Sequence, residues 1–599
     1  MTTGTGAGPG AGTGADRRDR PAFALTAAGA PVDPAVARDV VSIEVHEEIG
    51  RHGRCTVLLA NWDPGRRTVT HSDTGPFTPG TELTIALGYR TDTVVVFDGV
   101  VAAATADFPA ARPPLLRVAG RSRSILLEAP ARSRQLSDVS DADIAAAIAA
   151  DYSLHADAAD GSRHAFWASD RIGDWRALTA RAAQLGWVAY VRGKDLVMRP
   201  PAPNRQPIAL QWTRTLLELH LTEDLTRAID DAAATGWDVG SAEAVEGERA
   251  ADVAGLDAGD RPDHAAAVRA AGWPLRSSRT ASAAITAADE ADARAVAAQR
   301  GAALAHWHGT GVTAGDPALR CDSWVDLSGV GRRLAGPHYV TAARHRLTPD
   351  SYTTEFQIGA APALLPPDSG AGTGAGGRAG TGTGAAGAGL ATGMVDGLDD
   401  PDGLNRIRVQ LPWRHDGGEG IWARQSSLDA GDGYGAVVVP SKKQEVLVGF
   451  LDGDPAQPVV LGALYNGAAK PPVAVDADTN AERSLTTPDG HVLRLLDGED
   501  GSVTLSTATG QSVVLSEKDS SIILSHHDSG NSIRLSADGI ELTAAQGDIT
   551  LSSPAGTFSV DAGKLLAKTT GPLSVESSAT LGLKAAASLV VQGSPINLN

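Results

Sequence analysis

Few residues in this chain have the type and spacing that catalysis or metal binding needs. His46 opens "HEEIGR", but the position where a zinc-protease helix carries its second histidine is Gly50. The surrounding "VVSIEVHEEIG" alternates as a strand does. "DADTNAE" from Asp476 begins like a calcium loop, yet it lacks the sixth-position glycine and the acidic twelfth ligand. His306 and His308, and the pair His526–His527, could ligate a metal, since one histidine per chain around a threefold axis supplies three ligands. There is no Gly-x-Ser-x-Gly nucleophile turn and no phosphate loop. Asp452 and Asp454 flank Gly453 in "LDGDPAQPVVLG", ahead of Pro455. That is turn chemistry: the glycine takes positive φ and the carboxylates cap backbone amides. The pattern points away from an enzyme, and no cofactor is expected.

Positioning elements have to come from several domains, because 599 residues exceed one. The apolar fraction of 42% supplies ordinary cores. A net charge of -19 argues against nucleic acid as a partner, since phosphate binding needs a basic face. Cys55 and Cys321 sit in strand-like stretches and read as buried free thiols of a protein made in a reducing compartment. The opening "MTTGTGAGPGAGTGADRRDRP" has no apolar core of a secretory signal, so cytoplasmic synthesis is expected. No run approaches 18 uncharged apolar residues.

Residues 1–21 read as a disordered tail. Residues 22–365 read as α+β, with room for two related subdomains. Strand-like runs occupy Val40 to Val118. Helical periods follow at Asp138 to Ala150 (capped by Asp141), from Gly173 to a stop at Gly186, and from Ala288 to His308. Residues 366–398 are rich in Gly, Ala and Thr and read as a slack linker. Residues 399–472 hold about five strands, which suits a small Greek-key barrel of the OB type.

Residues 473–599 repeat. Units such as "IRLS", "IELT" and "ITLS" begin at Val503, Val513, Ile522, Ile533, Ile540, Ile549, Phe558, Leu565, Leu573, Leu581, Leu589 and Ile596. Their spacing averages about 8.5 residues, with turn residues between. A four-residue strand with one apolar edge cannot stand alone. Eight residues supply one side of a coil, so three chains, each giving one side, would close an intertwined triangular β-helix with every strand paired to a neighbouring chain.

Here the sequence resembles a known family. "DDPDGLNRIRVQLPW", "WAR" and "QEVLVGFLDGDPAQPVVLGALYNG" resemble the OB module of VgrG spikes and phage baseplate hubs, and "NAERSLTTPDGHVLRLLDGEDGSVTLSTATG" resembles their β-helix entry. The residues carrying the OB signature are Trp413, Trp422, Ala423, Arg424, Gly449, Phe450, Asp452, Gly453, Asp454, Pro455, Gly462, Tyr465 and Asn466. "GDWRALTARAAQLGWVAYVRGKDLVMRPP" is similar to a stretch of the hub domain. The resemblance implies a non-enzymatic homotrimeric hub and spike at the tip of a contractile injection system. That system is either a phage-tail-like particle or type VI secretion. Implied partners are the inner tube, baseplate proteins, the target membrane on firing, effector cargo as an open alternative, and a PAAR-type tip protein on Ile596, Asn597, Leu598 and Asn599. A trimeric adhesin or tail fibre, or a spike that degrades the cell envelope, are the alternatives. The roughly 15 residues between barrel and repeats leave no room for a lysozyme.

Overall fold

The computed structural model describes residues 20–597 apart from 74, 129–131, 205, 251–255, 257–260, 262, 275, 360–388, 412–419 and 475–477, and it divides after Ala469 into two units. The expected tail up to residue 19, most of the expected linker, Trp413, Leu598 and Asn599 lie outside the described residues.

Alternation builds the larger unit. In Arg54–Ala60 the residues Cys55, Val57 and Leu59 point into the core while their neighbours face out. The same period places Ile43 and Val45 from Val40–Glu48 and Leu83, Ile85 and Leu87 from Glu82–Tyr89 in one cluster. These strands belong to a 13-stranded sheet. Its second half comes from much later in the chain, and the two halves join where Gly336–Leu347 pairs antiparallel with Val40–Glu48.

The helices Asp141–Asp151 and Asp174–Leu185 lie between those halves in sequence, and the long helix Ala288–His306 lies within the second. Asp174–Leu185 buries Trp175, Leu178, Ala182 and Leu185 on one stripe. It ends at Gly186, which takes φ +61, and a Cβ there would lie 2.8 Å from the Cα of Ala297 in the long helix Ala288–His306. Only glycine lets the turn approach that helix so closely. The helix Asp141–Asp151 is capped one residue earlier than expected: Ser140 and Asp143 form a capping box, and Asp141 is the first helical residue, fully buried. The long helix stops at His306, because Trp307 already belongs to the strand Trp307–Ala314.

Five strands close a small barrel: Ala391–Gly397, Ile407–Gln410, Ile421–Gln425, Glu445–Phe450 and Pro458–Ala463. Its core is Val395, Ile407, Val409, Ile421, Ala423, Val446, Val448 and Val460. The boundary expected at residue 399 is corrected, since the first barrel strand lies inside the stretch assigned to the linker. The inward positions of that strand are small: Ala391, Gly393, Val395 and Gly397 are buried, while Thr392 and Met394 face out. A Cβ on Gly393 would sit 2.4 Å from Val409 Cγ1, so the residue that looks like linker is the one the barrel needs.

The smaller unit holds seven five-residue strands, from Glu482–Thr486 to Gly539–Thr543, each paired antiparallel with the next. For these strands the expected pairing with neighbouring chains is corrected: they pair within one chain. Turns at Gly490, Gly498, Gly510 and Gly530, all with positive φ, give the chain enough length to reverse. Among the described residues after Thr543 no strand is assigned, although the apolar units continue.

Candidate functional site

Two places concentrate the unusual chemistry. The first is a buried ion network under the barrel. Arg181 reaches Asp141 with Nε at 2.6 Å and Nη2 at 2.9 Å, and it meets Glu290 with Nη1 at 2.7 Å and Nη2 at 2.6 Å. Arg294 adds a third link, Nε to Glu290 Oε1 at 2.7 Å, and His164 Nε2 stands 3.3 Å from Asp141. Burial works against the charge of Glu290, yet the hydrogen bonds and charge of Arg181, joined by Arg294, hold its carboxyl well below the usual carboxylate range. Bidentate guanidinium contacts on both sides leave neither charge unpaired.

The barrel's Asp452–Pro455 turn meets this network. Asp452 and Gly453 take φ +51 and +72. Asp452 Oδ2 accepts from the backbone amide of Ala283 at 2.5 Å, which ties the turn to the one that follows the strand Ser277–Ala281. Asp454 Oδ1 accepts from the amide of Ala456 at 2.9 Å. Burial raises the carboxyl of Asp454, against the pull of that hydrogen bond and of the Arg294 and Arg181 charges. Phe166, from the strand Arg163–Ile172, packs onto the barrel core beside Phe450. The barrel is therefore clasped to the α+β region by a charged turn and an aromatic plug.

The other signature residues divide by role. Ala423 is core, and Gly449 is buried. Trp422 lies under the guanidinium of Arg408, 5.6 Å from its ring centre, and Arg408 in turn binds Asp396. Asn466 ties off the barrel's end, donating to Glu445 and accepting the amides of Ala468 and Ala469. Arg424, Gly462 and Tyr465 are exposed.

The second place is the seven-stranded sheet. Register puts Leu493, Leu505, Val513, Leu524, Ile533 and Leu542 in one column and Leu495, Val503, Leu515, Ile522, Leu535 and Ile540 in a second, both on the same face. The opposite face is dominated by serine with Arg494, Thr504, Arg534 and Glu541, broken by Val492, Leu496, Val514 and Ile523. The apolar face is open: Leu505 is 58% and Ile540 71% exposed. So large a one-sided apolar surface is a contact surface.

The structure also assembles a triad-like group that sequence spacing did not reveal. His52 Nδ1 lies 2.8 Å from Ser124 Oγ, and His52 Nε2 lies 3.7 Å from Glu128 Oε2. Ser124 is 0% exposed, so no substrate reaches its hydroxyl. His46 sits in a strand, and burial together with Arg54 lowers its imidazole to about 4. Among the described residues no three His, Cys, Asp or Glu side chains gather as a metal site.

Comparison with known proteins follows these boundaries. A family model described as the Alg8 N-terminal domain matches residues 18–349, more than half of the chain, and the chain belongs to that family. Residues 391–465 match the type VI secretion system/phage-baseplate injector OB domain. Residues 483–566 match the phage baseplate V C-terminal trimerisation domain. The type VI secretion system spike protein VgrG4b of Pseudomonas aeruginosa is 40% identical over 95 residues, which are 15% of this chain and 12% of that protein. VgrG3 of Vibrio cholerae is 29% identical over 130 residues, 21% of this chain and 12% of its own length. The chain thus spans about an eighth of the curated relatives it matches. Among solved structures, the lidded Francisella PdpA–VgrG complex is similar over 88% of this chain and 80% of its own, at 8% identity and a TM-score of 0.48. The VgrG-like resemblance read from the sequence is borne out by the OB and trimerisation matches.

Proposed function

We propose that this member of the Alg8 N-terminal domain family is the structural hub and spike of a contractile injection system and works as a homotrimer. The observation that carries the reading is the two-column apolar face, open in the single chain and lying in the segment that matches a trimerisation domain. Three such faces turned towards a common axis would bury it and leave the serine face to water. The units after Ile549 would then wind around the other copies and extend the rod as a β-helix.

In this reading the α+β region sits beneath the inner tube and joins the baseplate, and the clasped barrel passes load to the rod. The task is mechanical and calls for no catalytic residue. A PAAR-type tip protein would bind through Ile596, Asn597, Leu598 and Asn599, where unpaired strand edges offer a template to another β surface. Effector cargo and the target membrane are further contacts of the same assembly, which is made in the cytoplasm and leaves it as part of the particle. No helix among the described residues is long and apolar enough to cross a membrane.

Light scattering on the purified chain tests the reading. A mass three times 61.3 kDa supports it, and a stable monomer at micromolar concentration sinks it. Deleting Pro595 to Asn599 tests the tip: a trimer that still binds the tip protein undiminished would remove that contact.

A further inference from the structure

The barrel carries a second apolar surface that its own core does not use. Between Leu428 and Val439 the chain makes a small hairpin, Ala430–Gly431 against Tyr434–Gly435, then continues outside any assigned strand through Val437, Val438 and Val439. Leu428 is 97%, Val437 87% and Val438 63% exposed, with Tyr434 and Val439 also open. The strap is pinned. Ser427 Oγ donates to Ala436 O at 2.5 Å, Ala436 N donates to Asp429 O at 3.0 Å, and Gln425 Nε2 donates to Val438 O at 2.6 Å. Tyr434 lies so close over Gly431 that a Cβ there would meet its ring at 2.2 Å. A run of three exposed valines held in place by hydrogen bonds is normally covered.

We infer that this strap, Leu428–Val439, packs against a second copy of the same chain within the trimer. The inference rests on the trimeric reading above. The barrel is already closed by five strands, so the strap does not extend its sheet. A copy is the occupant because the barrel leads directly into the trimerisation segment. Residues 470–481, at most about 40 Å when extended, separate the first unit from the strand at Glu482, so three barrels are held at high effective concentration around one assembly. Copies of a chain with net charge -19 repel one another, so apolar surface has to supply the attraction. The strap's own charges are split, with Asp429 and Asp432 at one end and Lys442 and Lys443 just beyond the other. A neighbour can therefore meet it without stacking like charge on like.

The test uses the full chain. Val438→p-benzoylphenylalanine, irradiated in the purified protein, is expected to give covalent species of two and three chain masses, while the same group at exposed Asp350 gives none. A second variant needs no photochemistry. Cys55 and Cys321 are both buried, so Val438→Cys adds the one accessible thiol. It should react with maleimide at least tenfold more slowly in the native trimer than Asp350→Cys does. A trimer by light scattering that shows no inter-copy cross-link and rapid labelling overturns the inference and leaves the spike reading standing. A monomer overturns both. In assembled particles, cross-linking of Val438 to a different protein in place of a second copy also overturns it.

Discussion

The α+β region and the seven-stranded sheet are built from the same alternation, and they spend it differently. In the first, the inward set closes on itself: Ile43, Val57, Leu83 and Ile85 are wholly buried within one chain. In the second, an equally regular set, Leu505 to Ile540, stays largely exposed among the described residues. The first region covers its apolar side within the chain, and the second leaves it exposed. Backbone pairing alone makes a single sheet layer, and a single layer cannot bury a side chain.

The sharpest way to break this contrast is to charge the open face. Leu505→Asp with Leu524→Asp should abolish the trimer, because the two carboxylates would have to be desolvated on the axis; light scattering should report a monomer that keeps its α+β fold by near-ultraviolet circular dichroism. An intact trimer would show that the face is not the contact. The matching cut inside the first region is Glu290→Gln. It leaves Arg181 and Arg294 without their shared carboxylate and should cost about 3–5 kcal/mol in denaturant unfolding. A loss below 1 kcal/mol would mean the network is solvated. Gly393→Val overpacks the barrel against Val409 and should cost about 1–3 kcal/mol, read as a lower melting temperature of the barrel.

The smallest effect is with pH. His338 is lowered to about 4 by burial and then by Arg261, and His345 to about 3 by burial and then by Arg320. Unfolded, both protonate near 6.5. Between pH 6.5 and those values the unfolded chain binds more protons, so stability drops as the pH is lowered, by up to about 1.4 kcal/mol per unit for each histidine. Glu290 adds its own loss below about pH 4.5, where the unfolded carboxyl protonates while the native one, held by Arg181, stays charged. Melting followed by tryptophan fluorescence should be flat above pH 7 and fall below 6.5. His338→Gln should shallow that fall, and a melting temperature constant from pH 7 to 4.5 would refute the assignment.

Legibility followed the range of the interaction. Arg54–Ala60 could be read from its alternation, and Asp174–Leu185 from its apolar stripe and Gly186, because both are local. The strand Ala391–Gly397 could not, because its inward residues are small and its composition continues the stretch before it. The signal was present in Val395 and Met394 facing opposite ways. Arg181 and Glu290 stand 109 positions apart, and no spacing rule joins them. His52 and Ser124 stand 72 apart and meet for the same tertiary reason. The repeat was legible as a repeat. Its pairing was not, because chain reversal depends on the few residues of each turn, and the wider spacing of the early units was the available clue.

The antiparallel course of the seven strands bears on how such chains change length over evolution. Adding one strand would make the chain leave at the opposite ends of the strands. Adding two restores the exit side while the apolar columns continue. Lineages of this sheet should therefore grow and shrink by duplicated hairpins, in increments of about 10 Å at the usual strand spacing, and insertions of an odd number of strands should be selected against.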